Sequence, residues 1–131
     1  YNLALLDLWE AAARHALATC AEADATDATR LRATAQMIAA TSSSDTPALR
    51  AEPAIRAWAR DDTGCATVVA EVDEARLQQL RGLLSACGID NGEMARIIYA
   101  SAIGMEDLHD RDAAQNSDAI GSLVDLVLAL R

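Results

Sequence analysis

Apolar side chains recur three and four residues apart along almost the whole of this 131-residue chain. A segment with that period can bury one side only by coiling into a helix. In the opening segment, 3–20, the repeat is Leu6, Trp9, Ala13, Ala16, Leu17 and Cys20, with Asp7, Glu10 and Arg14 on the other side. Composition agrees: Ala and Leu dominate, Phe is absent, and aromatic residues make up only 3%, a bias that favours helices over sheets. The expectation is an all-α fold, an antiparallel bundle of about six helices. The chain forms a single domain over 1–131, long enough to bury a core without disulfide or metal staples.

The remaining segments follow the same rule. Asp24, Thr26 and Asp27 supply cap-type residues before a second helix over 28–40, with Leu31, Ala35, Ile38 and the neighbouring Met37 facing inward. The run from Thr41 through Ser42, Ser43, Ser44, Asp45 and Thr46 to Pro47 has no periodicity, and its hydroxyl and carboxylate side chains compete with helix, so it reads as a loop. Pro53 suits the first turn of a short helix over 53–60 that points Ile55, Trp58 and Ala59 one way. Asp61 and Asp62 end that helix, and Asp62 or Thr63 can cap the next, over 65–87, whose apolar positions are Val68, Val69, Val72, Leu77, Leu80, Leu83, Leu84 and Cys87. Gly88 supplies the left-handed stop. Asp90 followed three residues later by Glu93 resembles a capping box, and it opens a fifth helix over 92–109, with a sixth over 117–130.

The last two helices stand apart. From Ile120 to Leu130 the chain is apolar nearly all round, and a terminal helix of a small domain does not usually bury every side in its own core. Ile97, Ile98, Ala102, Ile103 and Met105 give the fifth helix a similarly wide face. Gly104 and Gly121 each cost about 1 kcal/mol inside a helix, which a close helix approach would offset. The economical expectation is a homodimer in which both helices of each copy form a four-helix interface through Ile98, Ala102, Met105, Ile120, Val124 and Val127; the alternative is that these Ala-rich helices wrap tightly within one chain.

Charge narrows the partners. The net charge is −9, Lys is absent, and the eleven Arg are scattered. DNA affinity comes largely from Lys and Arg neutralising phosphates, so these residues are not expected to bind nucleic acid by themselves. The longest apolar stretches carry Asp, Glu or Arg within a few residues, which argues against a membrane span. No basic stretch precedes an apolar core and a cleavage site, so no signal peptide is read. Cys20, Cys65 and Cys87 are odd in number and lack CxxC spacing, so they read as reduced, buried thiols of a cytoplasmic protein. The chain opens on Tyr1 rather than Met and runs straight into helical pattern, which suggests a preceding piece.

Three stretches carry a family resemblance. Ala54-Ile55-Arg56-Ala57-Trp58-Ala59-Arg60-Asp61-Asp62, followed by a Val-rich helix with Val72-Asp73 and Arg76-Leu77, resembles the TetR family of transcriptional regulators. So does Ile98-Tyr99-Ala100-Ser101-Ala102-Ile103-Gly104-Met105-Glu106, which looks like the start of the dimerising helix pair in one large branch. Leu3-Ala4-Leu5-Leu6-Asp7-Leu8-Trp9 looks like the helix that joins the DNA-binding module to the regulatory domain. The pattern departs at Thr63, where relatives commonly carry Pro. The resemblance implies an effector-binding and dimerisation domain, with a connecting helix over 1–20 and a dimerisation pair over 92–131. A small molecule bound there would relieve DNA binding by a separate N-terminal helix-turn-helix domain, missing from this chain.

By that resemblance, Trp9, Met37, Trp58 and Tyr99 lie on the helices that surround a pocket for a small apolar or aromatic effector, although Met and aromatic side chains also serve as plain core. His15, six residues after Trp9, reads either as an inward-facing ligand contact or as a hydrogen-bonded structural residue. Arg76 interrupts an apolar stretch; it suits an anionic ligand, or a surface pair with Asp73 or another carboxylate. Glu106 and His109 have the Glu-x-x-His spacing of di-metal bundles, but Ala12 stands three before His15 and no second motif completes such a site. His109 is better placed to meet a helix C-terminal dipole. No metal, no cofactor and no enzymatic activity are read. The alternative is a stand-alone helical interaction domain without ligand, its acidic surface meeting a basic partner.

Overall fold

The computed structural model describes residues 3–108 and 112–131. Over these the chain is all-helical, without strands: α1 (Leu3–Glu22), α2 (Asp27–Ala39), a 3-10 turn (Thr41–Ser43), α3 (Pro47–Arg50), α4 (Glu52–Ala59), α5 (Thr63–Ala86), α6 (Glu93–Glu106) and α7 (Ala113–Leu128). The stretch expected to be loop holds the 3-10 turn and leads into α3, whose first turn begins at Pro47, where a missing N–H is tolerated.

Local chemistry sets the boundaries. The Thr26 hydroxyl accepts from the Thr29 N–H, the Asp62 carboxylate from the Cys65 N–H, and the Asp112 carboxylate from the Gln115 N–H, each satisfying a donor that a helix start leaves open. The Asp112 cap starts α7 at Ala113, four residues ahead of the expected position. Gly88 ends α5 with φ +90°, a conformation that L side chains resist. The expected capping box does not form: the Asp90 carboxylate accepts from the Ser85 hydroxyl, and the Asn91 side chain accepts from the Glu93 N–H instead. His109 lies outside the described residues.

Two apolar clusters are strung along α5. One gathers Leu31, Ile38, Leu80, Leu84, Ile98, Ile120 and Val124 from α2, α5, α6 and α7. The other gathers Leu6, Trp9, Leu49, Ile55, Val69 and Val72 from α1, α3, α4 and the first half of α5. Helix α2 packs against α1, α5, α6 and α7, and α4 packs on α5. Gly121 lets α2 and α7 close: a Cβ there would lie 3.0 Å from the Gln36 Nε2, which donates to the Ser117 carbonyl. A Cβ at Gly104 would meet nothing, so only Gly121 marks a close approach, and its partner is a helix of the same chain.

That packing corrects the interface residues expected from sequence. Ile98, Ala102, Ile120 and Val124 are 0% exposed within a single protomer and Val127 only 5%, because α2 fills the groove between α6 and α7. They have no surface left for a second copy. Met105 is half-buried beside the same cluster. The exposed apolar side chains of this helix pair are others: Ile97, Leu108, Leu126 and Leu130.

Gly82 sits exposed near the C-terminal end of α5 with no neighbour that a methyl group would touch. Gly82→Ala is expected to raise stability by about 0.5–1 kcal/mol, by restricting the unfolded chain. The urea midpoint reads it, and an unchanged or lower midpoint would contradict the regular helix described at that position.

Candidate functional site

Where α4, α5 and α6 converge, the side chains do not close the interior. α4 and α6 each pack on α5, but not closely on one another, and the gap is a cavity of about 630 Å³, open on one side. That is within the range of small-molecule sites. Leu77, Ala57, Ala100 and Ile103 form its apolar wall, and Glu52, Arg56, Asp73 and Tyr99 its polar floor.

The floor is a closed hydrogen-bond network. Glu52, the first residue of α4, is almost wholly buried and accepts from both terminal nitrogens of Arg76, at 2.8 and 3.1 Å. Its Oε1 also takes the indole N–H of Trp9, at 3.1 Å, and its Oε2 the Nε of Arg56, at 3.4 Å. Arg56 then donates to both oxygens of Asp73, at 2.7 and 3.3 Å, and to the Tyr99 hydroxyl, at 3.0 Å. The Tyr99 hydroxyl donates to Asp73. Two carboxylates and two guanidiniums thus neutralise each other, as buried charges must. The Nε of Arg76 alone is buried without a partner among the described residues.

Protonation follows from these contacts. Burial works against the Glu52 carboxylate, but the charge and hydrogen bonds of Arg76, with Arg56 and Trp9, outweigh it and hold its pKa below the usual value. Burial also opposes the charged forms of Arg56 and Arg76, and their carboxylate partners overcome it, so both are more firmly protonated than free arginine. Tyr99 is pushed up to about 12, chiefly by burial, and so remains a donor. At the far wall Glu106 is committed to structure: it accepts from the Thr41 and Ser42 backbone N–H groups and the Thr41 hydroxyl, pinning the 3-10 turn.

Of the five residues expected to meet ligand, only Tyr99 lines this cavity. Trp9 is fully buried core, touching the site through Glu52. His15 is exposed on α1, which corrects the inward-facing reading: the apolar stripe of α1 runs through Leu6, Trp9, Ala13 and Leu17, and position 15 falls outside it. Met37 is half-buried against the α2–α5–α6–α7 cluster, and Trp58 against the α1–α3–α4–α5 cluster. Arg76 is not a surface residue paired with Asp73; it is fully buried and paired with Glu52. The signal lay in its spacing. Val69, Val72, Arg76 and Leu80 step by three and four along α5, so Arg76 occupies the core stripe. Glu52 offered no such signal, since a charged residue beginning a short helix looks the same whether it meets solvent or a buried guanidinium.

The three cysteines are free; Cys65 is buried, Cys20 and Cys87 are half-buried, and burial raises the thiol pKa of Cys20 and Cys65. Among the described residues no helix is long and apolar enough to cross a membrane. No family model, curated protein or solved structure matches the chain.

Proposed function

We propose that the chain is the effector-binding and dimerisation domain of a cytoplasmic, TetR-type transcriptional repressor, whose DNA-reading module is a separate helix-turn-helix domain. The observation that carries this reading is the link between cavity and α1. Glu52, in the cavity wall, bonds directly to Trp9 on the helix that the resemblance makes the connector. An occupant that draws α4 and α6 toward it shifts Glu52, at the start of α4, and with it the bond that holds Trp9 in place. It thereby favours one placement of α1 over another, and that difference in affinity is all an effector can contribute to release from DNA.

Dimerisation belongs to the outer faces of α6 and α7. Ile97, Ser101, Gly104 and Leu108 follow one another at helical spacing, as do Ala119, Ser122, Leu126 and Leu130. Large apolar side chains beside small ones suit close packing of two helix pairs about a twofold axis.

Native mass spectrometry of the purified chain tests the reading. The expected species is a dimer carrying a small non-covalent adduct, with Ile103→Trp, which fills the cavity, removing the adduct and sparing the dimer. A monomer at micromolar concentration with no adduct contradicts it.

A further inference from the structure

We propose that the cavity selects a small amphipathic organic anion, an aromatic or short-chain carboxylate or sulfonate, gripped at the mouth by Arg60 and Arg96. This rests on reading the cavity as an effector site and adds the chemical class of the effector.

The argument is a separation of committed from uncommitted charge. Among the cavity residues, Glu52, Asp73 and Arg56 satisfy one another and Arg76 behind them, and Glu106 is held by three donors of the 3-10 turn. A ligand gains little from groups already bonded, because it must break one hydrogen bond to make another. Arg60 and Arg96 differ. Both line the cavity, both are exposed, and neither side chain has an ion-pair or hydrogen-bond partner among the described residues. Against them stands one uncommitted acid of the lining, the exposed Asp107.

Position matters as much as count. Arg60 caps the C-terminal end of α4, and Arg96 lies in the first turn of α6. The two guanidiniums therefore come from the two helices that flank the gap, which do not pack closely on each other and are joined at the floor by the Arg56–Tyr99 bond. An anion held by both would tie α4 to α6, while its apolar body lies on Ala57, Ala100 and Ile103. Guanidinium is suited to this, since its fixed fork of donors matches a carboxylate or sulfonate. The setting sharpens the inference: in a chain of net charge −9 with eleven Arg and no Lys, three of the eleven, Arg56, Arg60 and Arg96, line one cavity. The field of the whole chain repels anions, so an anionic ligand needs this local arrangement to be retained.

Two probes sharing one scaffold test it: 1-anilinonaphthalene-8-sulfonate, an anion, and N-phenyl-1-naphthylamine, its neutral counterpart. Each is titrated by fluorescence into the wild-type chain, the R60Q/R96Q chain and the Ile103→Trp chain, at about 0.15 M salt to screen long-range charge. Both arginine side chains are exposed and unpaired, so the double variant is expected to keep the wild-type melting curve. The ratio of the two dissociation constants, sulfonate over neutral, is expected to rise about tenfold in R60Q/R96Q while the neutral probe binds as before. An unchanged ratio, or a sulfonate that fails to bind the wild type, overturns the proposal. Failure of the effector-site reading looks different. In that case the neutral probe does not bind the wild type, or it binds equally well to the chain whose cavity Ile103→Trp has filled.

Discussion

Glu52→Gln is expected to destabilise the chain by about 3–5 kcal/mol, the penalty for leaving a buried charge without its counter-ion. The orphan is Arg76, which is 0% exposed and has Glu52 as its carboxylate partner. Arg76→Met should cost less, because Glu52 then still has Arg56 and the Trp9 indole to accept from, and a Met side chain fills much of the vacated volume. The asymmetry separates a network centred on the carboxylate from a simple pair, which would lose equally from either side. The pH dependence carries a second signature. The folded-state pKa of Glu52 lies below the ordinary glutamate value of 4.5, so its stabilisation is fully present above that value and is lost as pH falls through the folded pKa. The wild type therefore weakens in acid, and Glu52→Gln should be weaker at neutral pH but flatter below about pH 4.5. Urea unfolding between pH 3 and 7 measures both. Equal losses from the two substitutions, or parallel pH profiles, would remove Glu52 from the centre of the floor.

Val124→Asp should strike at the folded state itself, not only at the proposed self-association. Val124 is 0% exposed in the cluster with Leu31, Ile38, Ile98 and Ile120, and an unpaired carboxylate there costs upwards of about 4 kcal/mol. A domain of this size has a total stability of about 5–15 kcal/mol, so a penalty of that size takes from about a quarter of it to most of it. Leu126→Asp, two residues on, alters a side chain that is 68% exposed and should change monomer stability by no more than about 0.5 kcal/mol. Its expected effect is on association: a folded chain sedimenting as a monomer. Sedimentation velocity with near-ultraviolet circular dichroism distinguishes the two cases. A folded, monomeric Val124→Asp would return the interface to the residues first expected from sequence. A dimeric Leu126→Asp would move it off the outer face of α6 and α7.

Helix identity was readable because it depends on short-range spacing, and so was Gly88 as the left-handed stop; the caps were readable only as small sets, Asp24, Thr26 or Asp27 and Asp62 or Thr63, from which the fold uses Thr26 and Asp62. The Asp90–Glu93 pair shows where local pattern stops deciding, since Asp90 had a nearer donor in Ser85. The interface misreading has a different origin. Around α7 apolar residues occur on nearly every side, so periodicity loses its contrast and cannot tell the side facing α2 from the side facing outward. The cavity was least legible of all. Its floor is assembled from Glu52, Arg56, Asp73 and Tyr99 on three helices, and its mouth from Arg60 and Arg96. Each of these, taken alone, is an ordinary charged or aromatic residue on an amphipathic helix.

Helix α5 is common to both apolar clusters, its first half held with α1, α3 and α4 and its second with α2, α6 and α7. Its 24 residues make a rod about 36 Å long. Pivoting such a rod about its middle by about six degrees carries each end roughly 2 Å, within the travel of known helix shifts. The bundle thus has a built-in lever, with the cavity beside its fulcrum.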